Sequence, residues 1–260
     1  MAVISVGDSF NAMEKLSTAQ HINSASDDPS SLAISEKMRA QIGGDNVAAR
    51  NMRDSQSMLN TAEGALNAST SILHRMRELS VQANNSLLTE SDRSIIQNEF
   101  LQLIGSLNAI GENTEYNTKR LIDGSLSDQN ATTNANGDSL SIDLDSALAS
   151  HLGDVHSGQF ISSIDLASKP SEALKVIDSA LEQVTGSRSS IGATTNRLDH
   201  AINVSENKQY NLSAAESRVR DADMTRELME QNQKNILQQT YMATQKMQHS
   251  MAGQILNLFG

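Results

Sequence analysis

The sequence has no cysteine and no tryptophan, only two prolines, and only three tyrosines and four phenylalanines in 260 residues. Without cysteine there are no disulfides, no thiol catalysis and no Cys-ligated metal site. With aromatics at 3%, burial must come from Leu, Ile, Val, Met and Ala, which suits thin helical seams better than a thick globular core. The net charge is −11, and no Lys/Arg cluster is dense enough to neutralise a phosphate backbone, which argues against nucleic-acid binding. No stretch approaches the roughly 18 apolar residues that a membrane span needs, so no membrane insertion is expected. The N-terminal MAVISVGDSFNAMEKL lacks a basic segment followed by a long apolar core, so no ordinary secretory signal is expected there.

What is present is a seven-residue repeat in two places. Met52, Leu59, Leu66 and Leu73 stand seven apart, flanked by the small residues Ala48, Ser55, Ala62 and Ser69 and followed by Met76. Far along the chain, Ile177, Val184, Ile191, Leu198 and Leu212 keep the same step, with Ser205 the polar member of the row. A heptad puts its apolar positions on one helix face, and another helix must bury that face. The expected fold is mainly α: a long antiparallel helical rod or coiled-coil bundle with a small β-hairpin region.

Punctuation divides the chain accordingly. Phe10, Met13, Leu16 and Ala19 suggest a brief helical stripe. Asp28 can cap a helix whose first residue is Pro29, where the missing N–H is harmless. That helix is expected to reach about Gln82, with a bend near Gly43–Gly44 an open alternative. Thr89 with Asp92 resembles a capping box opening a helix that carries Ile96, Phe100, Leu103, Leu107 and Ile110, followed by a loop around Asn113–Asn117. Residues 124–168 are polar and turn-rich. Within them Leu140–Leu144 alternates like a half-buried strand with which Phe160–Leu166 could pair, and one or two small β-hairpins are expected. A second long helix starts at Pro170 and runs to about Val219. After Asp221–Ala222–Asp223 a last helix carries Met229, Ile236, Ala243, Met247, Met251, Ile255 and Leu258. Nothing obvious in the chain covers that stripe. Its methionines suit either a plain coiled-coil core or a surface that repacks against partners.

Motifs for chemistry are few. The six histidines form no HExxH and no i,i+4 pair, and His151 and His156 near Asp154 read as solvated loop residues. There is no GxSxG, phosphate-binding loop or dinucleotide fingerprint. No catalytic, cofactor-binding or metal residues are expected, and no enzyme activity.

Two blocks then resemble a known family. SLAISEKMRAQI (Ser31–Ile42) and TAEGALNASTSILHRMRELSVQAN (Thr61–Asn84) closely resemble bacterial flagellin, the subunit of the flagellar filament. IDSALEQVTGSRSSIGATTNRLDHAI (Ile177–Ile202), NLSAAESRVRDADMTREL (Asn211–Leu228) and NILQQTYMATQKM (Asn235–Met247) are similar to its C-terminal part. The resemblance implies a terminal helical core domain from residues 1–30 with 221–260, its N-terminal part shortened. It also implies a rod domain over 31–220 with three long helices and a hairpin region at about 124–168. The variable outer domains would be absent. The self-assembly seam would comprise Met52, Leu59, Leu66, Leu73, Ile177, Val184, Ile191, Leu198, Met229, Ile236, Met247, Met251, Ile255 and Leu258. Implied partners are other flagellin subunits, an export chaperone and the type III export apparatus, the filament cap and the hook-associated proteins. The product would be a secreted, extracellular filament serving motility.

Family members carry a longer N-terminal helix before the motif that here reads KLSTAQHINSASDD, and Ala19, Gln20 and His21 replace the usual residues within it. The resemblance also implies recognition by the flagellin-sensing Toll-like receptor through Arg75, Leu79 and Glu99. A hook–filament junction protein and a secreted, non-polymerising adhesin or immune-interaction ligand stand as alternatives.

Overall fold

A computed structural model describes residues 6–126, 129–154 and 158–259, with the side chains of 6–10, 12 and 254–259 outside the description. Among the described residues there are five α-helices: α1 (Val6–Thr18), α2 (Pro29–Ala83), α3 (Glu90–Asn113), α4 (Pro170–Arg220) and α5 (Met224–Phe259). Between α3 and α4 lie three two-stranded antiparallel hairpins. These are β1 (Glu115–Tyr116) with β2 (Lys119–Arg120), β3 (Gln129–Thr132) with β4 (Ser139–Ile142), and β5 (Gly153–Asp154) with β6 (Gln159–Phe160). The chain forms two compact units, 1–43 with 208–260, and 44–207. The boundaries expected at 30/31 and 220/221 fall near the start of α2 and at the end of α4.

The helix starts follow local chemistry. Asp28 Oδ1 accepts the Ser30 and Ser31 amides at 3.0 and 3.1 Å, and Pro29 opens α2. Thr89 and Asp92 close a reciprocal capping box on α3. The Asp92 amide donates to the Thr89 hydroxyl at 3.2 Å, and the Thr89 amide donates to the Asp92 carboxylate at 3.0 Å. Asp223 Oδ1 accepts the Thr225 amide at 3.0 Å to open α5. At the other end of the chain, α1 stops at Thr18, and Ala19 has φ +57°, so it leaves the expected stripe and turns the chain.

In the unit 44–207, α2 and α4 run antiparallel. Ser205 Oγ donates to the Asp45 carbonyl at 3.2 Å, Gln56 to Asp199 at 2.7 Å, and Arg77 to Asp178 at 2.7 Å. Arg188 reaches Glu63, and Arg53 pairs with Glu206. As the α2 partner advances from 45 to 77, the α4 partner retreats from 205 to 178, which is the signature of an antiparallel pair. Between these polar flanks, Met52, Leu59, Leu66 and Leu73 and their counterparts Ile177, Val184, Ile191 and Leu198 are all at most 3% exposed. Each such side chain contributes about 1.5–3 kcal/mol of burial, against well under 1 kcal/mol for an exposed ion pair. The seam therefore supplies stability, and the flanking pairs mainly fix register. Ile96, Phe100 and Leu107 of α3 complete the core.

The hairpins differ from expectation in pairing. Leu140–Ile142 lies in β4, but its partner is β3, while Phe160 pairs with Gly153 and Ile161–Ser163 forms a 3-10 turn. A nearby turn over Asn134–Gly137 closes the β3–β4 hairpin at a loop-closure cost lower by about 1 kcal/mol than a partner some twenty residues away. The Asn113–Asn117 segment, expected as loop, includes the end of α3 and β1, and Asn117 and Thr118 turn into β2 with φ +50° and +64°.

Close approach explains two glycines. A Cβ on Gly44 would lie 2.5 Å from the Ala135 Cβ, so its absence lets the β3–β4 tip settle on α2, where the Ala135 amide donates to the Asp45 carboxylate at 2.9 Å. Gly153, with φ +150°, would bring a Cβ within 2.4 Å of the Gln159 carbonyl. The irregular segment between β4 and α4 is held by amide side chains from the helices. Asn108 accepts the Ala149 amide at 3.0 Å, Gln97 accepts the Leu166 amide at 2.8 Å, and Gln183 bonds both backbone groups of Gly153. At these positions they take the place of a sheet ladder.

In the unit formed by 1–43 and 208–260, α1 packs against α5. The turn after α1 is tied to the α4–α5 junction. The His21 amide donates to the Arg220 carbonyl at 2.7 Å, and the Ala222 amide to the Ala19 carbonyl at 3.0 Å. The Arg220 guanidinium also holds Glu36 at 2.7 Å and Gln20 at 3.1 Å. The Glu36 carboxyl is held below its ordinary range chiefly by that bond.

Candidate functional site

The expected assembly residues fall into two groups. Met52, Leu59, Leu66, Leu73, Ile177, Val184, Ile191 and Leu198 are buried against each other and their neighbours within the chain itself. The α5 residues are not. Met229 is 65% exposed, Ile236 63%, Met247 58% and Met251 59%. Leu228, Leu237, Tyr241 and Met242 are exposed beside them. The side chains of Ile255 and Leu258 lie outside the described residues.

The apolar surface of α5 is broader than one heptad row. It includes Leu228 and Met242 in one row and Met229 and Ile236 in the next, about 100° round the helix. The contact of α5 with α1 leaves these residues in solvent, although packing is what stabilises most helices in proteins. Contiguous apolar surface of this extent marks a contact region.

The expected recognition residues are only partly brought together. Arg75 of α2 donates through Nε and Nη2 to the Glu99 Oε1 of α3 at 3.0 and 2.7 Å, and through Nη1 to Glu78 at 3.0 Å. Both carboxylates raise the Arg75 pKa, Glu99 most. Arg75 and Glu99 are about half exposed. Leu79, one turn on from Arg75, is 1% exposed and belongs to the core. An i,i+4 spacing places two residues on one helix flank, but here the interior begins between them. The surface nearby instead exposes Val81, Leu87, Ile95 and Leu101. Sequence reasoning missed these. The signal was available in α3, where Ile95 and Leu101 stand one residue off the buried positions Ile96 and Phe100 and so cannot share their face.

A depression of about 360 Å³ in the unit 44–207 is lined by Leu66, Asp145, His151, Gln183 and Ser187. Several of its polar groups already have partners. Ser187 donates to Asp145 at 2.7 Å, Gln183 serves Gly153, and His151 Nδ1 lies 3.1 Å from the Ser150 hydroxyl. Among the described residues no group of three His, Cys, Asp or Glu is placed to hold a metal, and no helix is long and apolar enough to cross a membrane. His156, considered with His151 and Asp154 above, lies outside the described residues.

A buried seam between α2 and α4, with Met229, Ile236, Met247 and Met251 exposed on α5, defines a protein of long paired helices with an apolar face available for assembly. Family models agree: residues 7–127 match the bacterial flagellin N-terminal helical region, and residues 174–259 match the bacterial flagellin C-terminal helical region. The chain belongs to the bacterial flagellin family, whose members are structural subunits that homopolymerise into the flagellar filament and are not enzymes. It is 42% identical to a flagellin of Halalkalibacterium halodurans over 92% of this chain and 88% of that protein. It is 38% identical to a flagellin of Bacillus subtilis over 89% and 86%. Among solved structures, FliC from Burkholderia pseudomallei aligns at a TM-score of 0.50 and 21% identity, covering 55% of this chain and 99% of that one. A putative flagellar hook-associated protein from Vibrio parahaemolyticus aligns at 0.63 and 18%, covering 75% and 100%. Both likenesses concern the fold alone.

Proposed function

We propose that this chain polymerises into an extracellular filament for motility by burying the exposed apolar face of α5, with residues 1–30 and 221–260 acting as the assembly core and 31–220 as the outer rod. The observation that carries this reading is the exposure of Met229, Ile236, Met247 and Met251 in a chain whose 52–73 and 177–198 rows are covered. The buried rows on α2 and α4 then act earlier, by building the subunit. The terminal helices also serve passage through the type III export apparatus with an export chaperone, and the filament ends contact cap and hook-associated proteins. The test is seeded polymerisation of wild type beside Ile236→Asp/Met247→Asp. The reading expects filaments only from wild type, with unchanged thermal unfolding of the 44–207 unit. Filaments of equal length from both would overturn it.

A second role, binding to the flagellin-sensing Toll-like receptor, is supported by the half-exposed Arg75–Glu99 pair. Leu79 would contribute from beneath, by setting the α2 flank, since it is buried. Arg75→Ala/Glu99→Ala is expected to weaken receptor binding with helical content unchanged, and equal binding would count against the site.

A further inference from the structure

The tip of the β3–β4 hairpin carries the single Asn–Gly dipeptide of the sequence, Asn136–Gly137. Asn134–Gly137 form a β-turn, closed by a Gly137 amide bond to the Asn134 carbonyl that is long at 3.3 Å. Asn136 and Gly137 are both exposed. Gly137 has φ +90°, and nothing lies within 4 Å of where a Cβ would stand. The Asn136 carboxamide makes no hydrogen bond to the described residues, whereas its backbone amide donates to Asn134 Oδ1 at 2.9 Å.

We propose that Asn136 is a site of spontaneous deamidation, and that the modification loosens the β3–β4 tip from α2. The Gly137 backbone nitrogen loses its proton and attacks Asn136 Cγ. A new N–Cγ bond forms, the carboxamide C–N bond breaks, and ammonia leaves, giving a five-membered succinimide. Water then opens the ring at either carbonyl. Opening at Cγ yields aspartate. Opening at the main-chain carbonyl yields isoaspartate, with one extra carbon in the backbone path. The net change is amide plus water to acid plus ammonia, and no other reactant is needed.

Neighbouring residues show what protection looks like. The Asn134 carboxamide is fully engaged: its Oδ1 accepts the Asn136 and Asp138 amides at 2.9 and 3.1 Å, and its Nδ2 donates to the Asp138 carboxylate at 2.6 Å. Its next residue is Ala135, whose side chain hinders the attacking nitrogen. Asp123–Gly124 could isomerise through the same ring, but only from the neutral carboxyl, since that step expels water. Ser125 binds Asp123 Oδ1 through its amide at 2.9 Å and its hydroxyl at 2.6 Å, and holds that carboxyl below its ordinary range, chiefly by the hydroxyl. The susceptible site is thus the one whose side chain is idle.

The consequence follows from position. Ala135, the residue before Asn136, is the one that seats against Gly44 and donates to Asp45. A lengthened backbone at 136 displaces the Asn134–Gly137 turn, and with it the Ala135 amide.

The full chain, incubated at mildly alkaline pH and mapped by peptide mass spectrometry with enzymatic isoaspartate labelling, tests this directly. The expected result is conversion at Asn136 several-fold faster than at Asn134, with no isoaspartate at Asp123. Asn136→Gln, which forms the ring far less readily, is expected to abolish the labelling while leaving the circular dichroism unchanged. Conversion at Asn136 no faster than at Asn134 would overturn the site. Aged protein is expected to be cut faster within 129–142 by limited proteolysis than Asn136→Gln aged alongside. Equal cutting would overturn the loosening.

Discussion

Arg188 of α4 donates through Nε and Nη2 to a single carboxylate oxygen of Glu63 on α2, at 2.9 and 2.8 Å, across 125 residues of sequence. The pair bridges the two helices beside the row containing Leu59 and Leu66. About a third of each side chain is solvent-exposed. Partial exposure keeps its contribution small, at about 0.5–1 kcal/mol. A double-mutant cycle of Arg188→Ala with Glu63→Ala, followed by urea unfolding, is expected to return a coupling in that range that shrinks with added salt.

The apolar row beneath it matters more. Leu66→Ala and Ile191→Val are expected to lower stability by about 2–5 and 0.5–1.5 kcal/mol respectively, because the first opens a cavity in a site 2% exposed. Met229→Ala on α5 is expected to change monomer stability by less than about 0.5 kcal/mol, since its side chain is already in water. Chemical denaturation of the three variants separates buried seam from uncovered face.

Two helical glycines are predicted to respond in opposite directions. Gly64→Ala meets nothing within 4 Å and is expected to stabilise by about 0.5–1 kcal/mol through helix propensity. Gly44→Ala drives a methyl into Ala135 and is expected to destabilise by about 1–3 kcal/mol and to speed hydrogen exchange in 129–142. Equal effects at the two positions would contradict the close packing of hairpin tip on helix.

Acid sensitivity follows from several carboxyls held low by their partners. Asp92 lies below its ordinary 3.8 chiefly through the Thr89 hydroxyl, Asp28 chiefly through the Ser31 hydroxyl, Asp165 chiefly through that of Ser168, and Glu36 below 4.5 chiefly through Arg220. A depressed folded-state value means the unfolded chain takes up protons first as pH falls. This contribution is fully present above the ordinary values and is lost as pH drops through the folded ones. Thermal stability is therefore expected to start falling as pH drops below Glu36's ordinary 4.5, and the gap between wild type and Asp92→Asn to close as pH drops below Asp92's ordinary 3.8. A gap constant from neutral pH to acid would contradict the capping-box ionisation.

The sequence made some of this legible and hid the rest for physical reasons. Seven-residue spacing exposed the α2 and α4 rows because a helix repeats one environment over many turns, and Asp28–Pro29 and Thr89–Asp92 announced helix starts through local bonding. The strand pairing was misread because Leu140–Leu144 shows alternation but not its partner, which the Asn134–Gly137 turn decides. Gln97, Asn108 and Gln183 left no sequence trace of their long-range bonds to the irregular segment. The depth of Leu79 was not legible either, because spacing relates it to the half-exposed Arg75, whereas burial depends on the packing around it.

The central claim is that α5 is the face left for other copies of the chain. Hydrogen–deuterium exchange of α5, compared between monomer and seeded polymer, tests it most directly. The account predicts fast exchange over 229–251 in the monomer and strong protection in the polymer, with 52–73 and 177–198 protected in both. Protection of α5 already in the monomer, or none gained in the polymer, would contradict it.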